Sequence, residues 1–241
     1  MTTSKLVTFG DLALLGDVHD NTGVDASAIK TDRDLENWTL SLAGDARDAL
    51  LSGGINTWSL GWTAGRVGFD NVAAQLADAE TAGTQGGFSK WNTNLTRLQS
   101  LSPKNALYFA FSGQWANTNL DGSQKMIVGG PYSVRAYDTG ALSGDTGYLA
   151  TAEFRHALGT AWGWQWQAVA FIDTGRVTVN KNAWVPGNNS ANLSGAGVGL
   201  NWVGPQQWRV KTYIATRLGT APTLVASSAS TSVWIELTSG F

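Results

Sequence analysis

The chain is 241 residues long, with 29 Gly, 12 Trp, no Cys, 14% charged residues and a formal net charge of −2. Lack of cysteine excludes disulfides and thiolate chemistry, and a near-neutral balance supplies no basic face for nucleic acid. Mean hydropathy is only −0.10 and no run approaches the ~20 apolar residues of a spanning helix, yet charge falls well short of the ~25% of a soluble domain.

In chain order, the N-terminal stretch MTTSKLVTFGDLALL has one lysine and no apolar core ending in small residues, so it does not read as a signal peptide. His19, flanked by Asp17 and Asp20, is expected to lie in a solvated loop rather than to bind metal. From Asn37 onward, period-two alternation predicts strands separated by Gly, Asn, Asp, Ser and Pro clusters. Trp38, Leu40 and Leu42 share one face, as do Trp58, Leu60, Trp62 and Ala64. Residues 70–80, DNVAAQLADAE, read as a loose or briefly helical insertion between strands, with Val72, Leu76 and Ala79 on one side.

Leu107, Phe109, Phe111 and Trp115 form the next apolar face, opposite Tyr108, Ser112 and Gln114. A long Gly-rich connection then carries Arg135, and beyond it Glu153 and Arg155 share one strand face, as i and i+2 must. Trp162, Trp164, Trp166, Ala168, Ala170 and Ile172 predict one face of a long strand, with Gln165, Gln167, Val169, Phe171 and Asp173 on the other. His156 falls on the apolar side of its strand, near the end. Residues 182–191, NAWVPGNNSA, read as a polar external loop. Finally Val198, Leu200 and Trp202, then Val210, Thr212 and Ile214, then Val233, Ile235, Leu237 and Phe241 continue the apolar face. Gly195, Gly197, Gly199, Lys211, Tyr213, Arg217, Trp234 and Glu236 face the other way.

Soluble sandwiches alternate too, but their polar faces meet water and carry Lys and Glu in quantity. Here the polar face is mostly Gly, Thr, Ser, Asn and Gln, and Trp clusters near strand ends as in an interfacial girdle. That combination predicts an all-β, antiparallel transmembrane β-barrel. No nucleophile stands beside a base and no metal-ligand spacing occurs, so no enzyme activity and no cofactor are expected. The run SGAGVGLNW lacks a βαβ context for a dinucleotide; its small residues suit a strand that a loop approaches closely. Arg135 and Asp173 could form a bidentate pair pinning that loop inside a hollow, and Glu153 with Arg155 reads as an ion pair on the lumen side.

The ordered set Arg97-Leu-Gln-Ser-Leu101, SGQWANTNLDGSQKMIVGG, YSVRAYDTGALSGDTGYLATAEFRH and FIDTG resembles the C-terminal barrel of two-partner secretion transporters, the haemolysin-activator and haemagglutinin-secretion pores, from about Leu35 to Phe241. The resemblance implies about ten strands of a larger outer-membrane barrel of roughly sixteen, with the earlier strands and the periplasmic POTRA domains missing from this chain. It implies outer-membrane lipid around the barrel and an unfolded, β-helical exoprotein as partner, passed outward without ATP. Val134-Arg135-Ala136-Tyr137 aligns with the tip motif of an inward-folded loop, and Phe171-Ile-Asp173-Thr-Gly175 with the strand motif whose aspartate holds the arginine. Ala136 stands where the family tip has glycine; if that glycine serves a positive φ or close packing, alanine should strain or shift the tip. A barrel-assembly insertase of the same superfamily, and a soluble Trp-rich carbohydrate-binding protein, are the alternative readings.

Overall fold

Alternation over long segments yields long strands. The computed structural model describes residues 3–9, 14–15, 33–226 and 229–240; His19 with its flanking aspartates, and Phe241, lie outside them. The strands are β1 (Thr3–Phe9), β2 (Leu14–Leu15), β3 (Arg33–Asp48), β4 (Gly54–Phe69), β5 (Gly86–Ser100), β6 (Asn105–Ala116), β7 (Met126–Val128), β8 (Leu142–Gly144), β9 (Thr146–Ala161), β10 (Trp164–Thr178), β11 (Ser190–Val203), β12 (Arg209–Arg217) and β13 (Thr231–Thr238), with one helix, α1 (Val72–Ala79). The sheet runs β1-β3-β4-β5-β6-β9-β10-β11-β12-β13, and β2 follows β1 along the same edge of β3. Every pairing is antiparallel, and β7 with β8 forms a separate hairpin. Strands of 14 to 16 residues, such as β3, β4, β9 and β11, rise about 3.3 Å per residue and can cross a ~30 Å hydrocarbon layer at a tilt.

The two faces invert the usual order of burial. Leu40, Leu60, Leu95, Phe109, Ile172 and Ile235 lie exposed on one face. The buried core sits against the other, where Val169, Phe171, Leu193, Tyr213 and Ala215 pack on Val134, Ala136 and Tyr137 from the β6–β9 connection. An apolar outside and a polar, loop-filled inside are the distribution of a membrane barrel wall. Among the described residues no ladder joins β13 to β1, so the wall is open. No described helix is long and apolar enough to cross a membrane.

Connection length distinguishes the two ends. Residues 49–53, 101–104, 162–163 and 204–208 are tight; 70–85, 117–145, 179–189 and 218–230 are long. In outer-membrane barrels the tight turns are periplasmic and the long loops external. Aromatic side chains gather towards each end on the outer face. Trp38, Trp62 and Trp91 neighbour one another towards the long loops, as Trp162, Trp166 and Trp202 do at the tight-turn end.

One local expectation is corrected, at Trp162, and the brief helix expected over 70–80 is met, with Val72, Leu76 and Ala79 together on its exposed side. Trp162 does not continue a strand: with φ of 52° at Trp162 and 78° at Gly163, the pair forms the two-residue turn between β9 and β10. Positive φ at both central residues matches the right-handed twist of a hairpin, which outweighs strand propensity. In the 70–85 loop, Asn71 caps α1 by accepting from the Ala74 N–H at 2.7 Å. Its buried residues are Ala74 and Asp78, while Val72 and Leu76 are 69% and 60% exposed. Asp78 turns inward because its carboxylate accepts the Thr84 and Gln85 N–H groups at 3.0 and 2.8 Å, closing the loop. The remaining loop expectation, 182–191, is met except that Ser190 and Ala191 already belong to β11.

Candidate functional site at the lumen loop

Residues 117–145 leave the long-loop end and turn back against the inner face. Two anchors hold the base of this loop. Asp145 is fully buried and its carboxylate accepts the Leu120 N–H at 3.1 Å and the Lys181 N–H at 2.7 Å, while Lys125 Nζ pairs with it at 2.9 Å. Gln114 on β6 donates to the carbonyls of Gln124 and Asp145 at 3.0 and 3.1 Å. Beyond the β7–β8 hairpin stem, Gly129 and Gly130 adopt φ of 105° and 104°. A side chain at Gly129 would meet the Asp138 carbonyl at 2.3 Å, so the reversal into the tip requires glycine there.

The tip is Val134-Arg135-Ala136-Tyr137, all four buried. Arg135 Nε and Nη2 each donate at 2.8 Å to Asp173 on β10, and the Arg135 backbone N–H donates to the same carboxylate at 3.1 Å. Thr151 Oγ1 adds a fourth bond to Asp173 at 3.0 Å. A carboxylate has about four acceptor sites, so Asp173 is filled. Arg135 Nη1 reaches Glu153 on β9 at 2.8 Å, and Arg155 Nη2 reaches the other Glu153 oxygen at 2.7 Å. The charges alternate along the wall: Arg155, Glu153, Arg135, Asp173. Three buried charges, Arg135, Glu153 and Asp173, and the half-buried Arg155 thus share one cluster, which avoids the cost of an unpaired interior charge.

Aromatic rings complete the socket. The Arg135 guanidinium lies 3.4 Å from the Phe171 ring centre and 5.0 Å from that of Tyr213, and Arg155 stacks over Tyr108 at 4.2 Å. Phe171, Asp173 and Gly175 therefore have separate roles on one face. Phe171 floors the arginine and Asp173 pairs with it; at Gly175 a side chain would come 2.7 Å from Leu149 and 3.5 Å from Val128 at the loop stem. Neighbouring β11 is thinned to match: a side chain at Gly197 would strike Phe171, and one at Gly199 would strike Tyr213. Tyr137 is buried beneath the Arg217 guanidinium at 4.9 Å.

The expected strain at Ala136 does not arise. Ala136 is outside the positive-φ region, and the close approach it needs is provided by the wall, because a Cβ at Gly195 would lie 2.4 Å from that of Ala136. The structure gathers Arg135, Phe171, Asp173, Glu153 and Arg155 into one cluster, with Gly175 and the rest of the tip packed around it. His156 stays apart, on the outer face, where its Nδ1 lies 2.7 Å from Asn105 Oδ1.

Sequence reasoning missed three participants. Glu153 was paired with Arg155 but not with Arg135; it sits directly across from Phe171 in the β9–β10 register. Trp234 on β13 donates its indole N–H to the Arg135 carbonyl at 2.7 Å; its inward parity was visible, its partner was not. The anchoring role of Asp145 had no sequence signal beyond an acidic residue at the end of the loop.

Comparisons with known proteins bear on this arrangement. The family described as haemolysin secretion/activation protein ShlB/FhaC/HecB matches residues 23–202. The heme/hemopexin transporter protein HuxB of Haemophilus influenzae (strain 86-028NP) is 27% identical over 196 residues, covering 80% of this chain and 34% of that protein. HuxB of strain ATCC 51907 / DSM 11121 / KW20 / Rd is 30% identical over 130 residues, covering 54% of this chain and 23% of the relative. The chain thus spans about a third or less of these relatives' lengths. In structure it is similar to CdiB from Escherichia coli, with a TM-score of 0.69 at 21% identity, covering 86% of this chain and 37% of that one. With most of its length matched, an open antiparallel barrel wall and a loop returned to the lumen side, the chain belongs to the ShlB/FhaC/HecB family of haemolysin secretion/activation proteins, as a barrel region of a two-partner secretion transporter.

Proposed function

We propose that this chain supplies part of the wall and the lumen loop of an outer-membrane pore that secretes a large β-helical partner protein, unfolded and without ATP. The observation that carries this reading is the loop tip docked by Arg135 on Asp173 and Glu153, on the polar face of a wall whose other face is apolar. A pore that passes an unfolded chain needs a passage closed at rest. A returned loop held by a few charged groups provides such a closure, since it can be displaced without dismantling the sheet. Haemolysin secretion/activation in the family's description supports secretion over the insertase alternative. The exposed apolar face supports membrane residence over a soluble carbohydrate binder.

The test is made in the complete transporter. Removing one member of a buried pair costs about 3–5 kcal/mol, so Asp173→Ala and Arg135→Ala should each impair secretion of the partner strongly. Heat-modifiable migration of the assembled barrel should persist, because the strand ladders do not depend on the tip. Normal secretion by both single variants would sink the role given to the loop.

A further inference from the structure

The two backbone groups of Arg135 are both satisfied by the wall rather than by the loop. Its N–H donates to Asp173 on β10 at 3.1 Å, and its carbonyl accepts from Trp234 on β13 at 2.7 Å. These strands are not neighbours: β11 and β12 lie between them. The tip main chain therefore bridges the inner face across four strands. Trp234 faces inward and packs against the core that contains Val134, Ala136 and Tyr137. Arg135 is only 4% exposed with the indole in place, so this bond is made in a buried setting. Tyr132, Ser133, Lys211 and Glu236 line the adjoining cavity of about 330 Å3, which places the last strand beside the tip over more than one residue.

We propose that Trp234 is a positioning residue for the lumen loop: its indole N–H ties the tip main chain to β13, as a second tether distinct from the Arg135 side-chain cluster. The consequence is that the last strand and the loop move together. Lifting the tip requires breaking a bond to β13, and displacing β13 withdraws support from the tip. A neutral indole-to-carbonyl bond carries no net charge, so a competing ion that displaces the guanidinium leaves this tether in place. The inference rests on the loop's role in secretion, but its primary readout does not.

The experiment measures tip exposure directly in the complete, membrane-inserted transporter. The described chain has no cysteine, so Val134→Cys in a cysteine-free background places a near-isosteric thiol at a fully buried tip position. Its alkylation rate by a soluble maleimide reports how often the tip lifts. Trp234→Phe keeps a ring and removes the N–H. Leaving a buried acceptor unpaired should raise the alkylation rate about tenfold, with partner secretion reduced in parallel. If the smaller ring disturbs assembly, β-(3-benzothienyl)alanine at 234 keeps the bicyclic shape without the N–H and should give the same increase. An unchanged alkylation rate with this isostere overturns the tether, even where Asp173→Ala still exposes the tip. Faster alkylation with undiminished secretion leaves the tether standing and overturns the loop's role in secretion.

Discussion

At Ala136, close packing is decided by a residue 59 positions away. The tip lacks the glycine of the motif it resembles, and Gly195 on β11 offers the missing room instead. Gly195→Val projects its side chain into the space held by the Ala136 methyl group and should lift the tip, raising reactivity of a thiol at Val134 and lowering secretion. Ala136→Gly should leave the tip docked, with at most about 1 kcal/mol lost to backbone freedom. If Gly195→Val secreted normally with a protected tip, the complementarity would be incidental. Asp173 was legible as an inward carboxylate from parity alone. That it also receives the Arg135 backbone N–H and the Thr151 hydroxyl was not, because neither donor follows from alternation.

Among the elements, the strands were the most legible and the loops the least. Period two assigns each strand residue to a face without reference to any partner, so Phe171 and Asp173 on one side and Ile172 on the other could be read from β10 alone. Turn chemistry overrode that pattern at Trp162, where the hairpin required two residues of positive φ. In α1 the grouping of Val72, Leu76 and Ala79 on one side was legible and that side is exposed; the N–H groups of Thr84 and Gln85 that hold Asp78 on the buried side were not, because apolar periodicity cannot register such partners. The lumen loop depends on its base as much as on its tip. Asp145→Ala should leave Lys125 and two backbone N–H groups without their shared carboxylate, at a cost of about 3–5 kcal/mol. Limited proteolysis of the inserted protein should then cut within residues 117–145 much faster than in the parent, while the barrel core resists. Equal protection in both proteins would remove Asp145 from the anchoring role.

For the molecule as a whole, the exposed apolar face is the property that demands a membrane. Ile172 lies mid-strand on β10 and is 49% exposed. An arginine there should destabilise the inserted barrel by about 2–4 kcal/mol, as a cation near the bilayer midplane does. Gln167 lies on the opposite face of the same strand, beside Asn201 at 3.3 Å. Gln167→Arg should therefore be well tolerated. The check is the temperature at which heat-modifiable migration is lost in each variant: a clear drop for Ile172→Arg and little change for Gln167→Arg. Equal drops would mean that β10 does not present one face to lipid.

By itself, the sequence determined the all-β membrane architecture, the side of the wall on which strand residues lie outside the irregularity near the end of β9, and the family. Alternation is a local property, and the motifs stand in order along the chain. Only the tertiary structure decided which residues join Arg135 and Asp173 in holding the loop. Glu153 and Trp234 reach Arg135 across 18 and 99 positions of sequence, and Gly195 receives Ala136 from another strand. Those meetings depend on strand register and on the path of a returning loop, which no short-range pattern encodes.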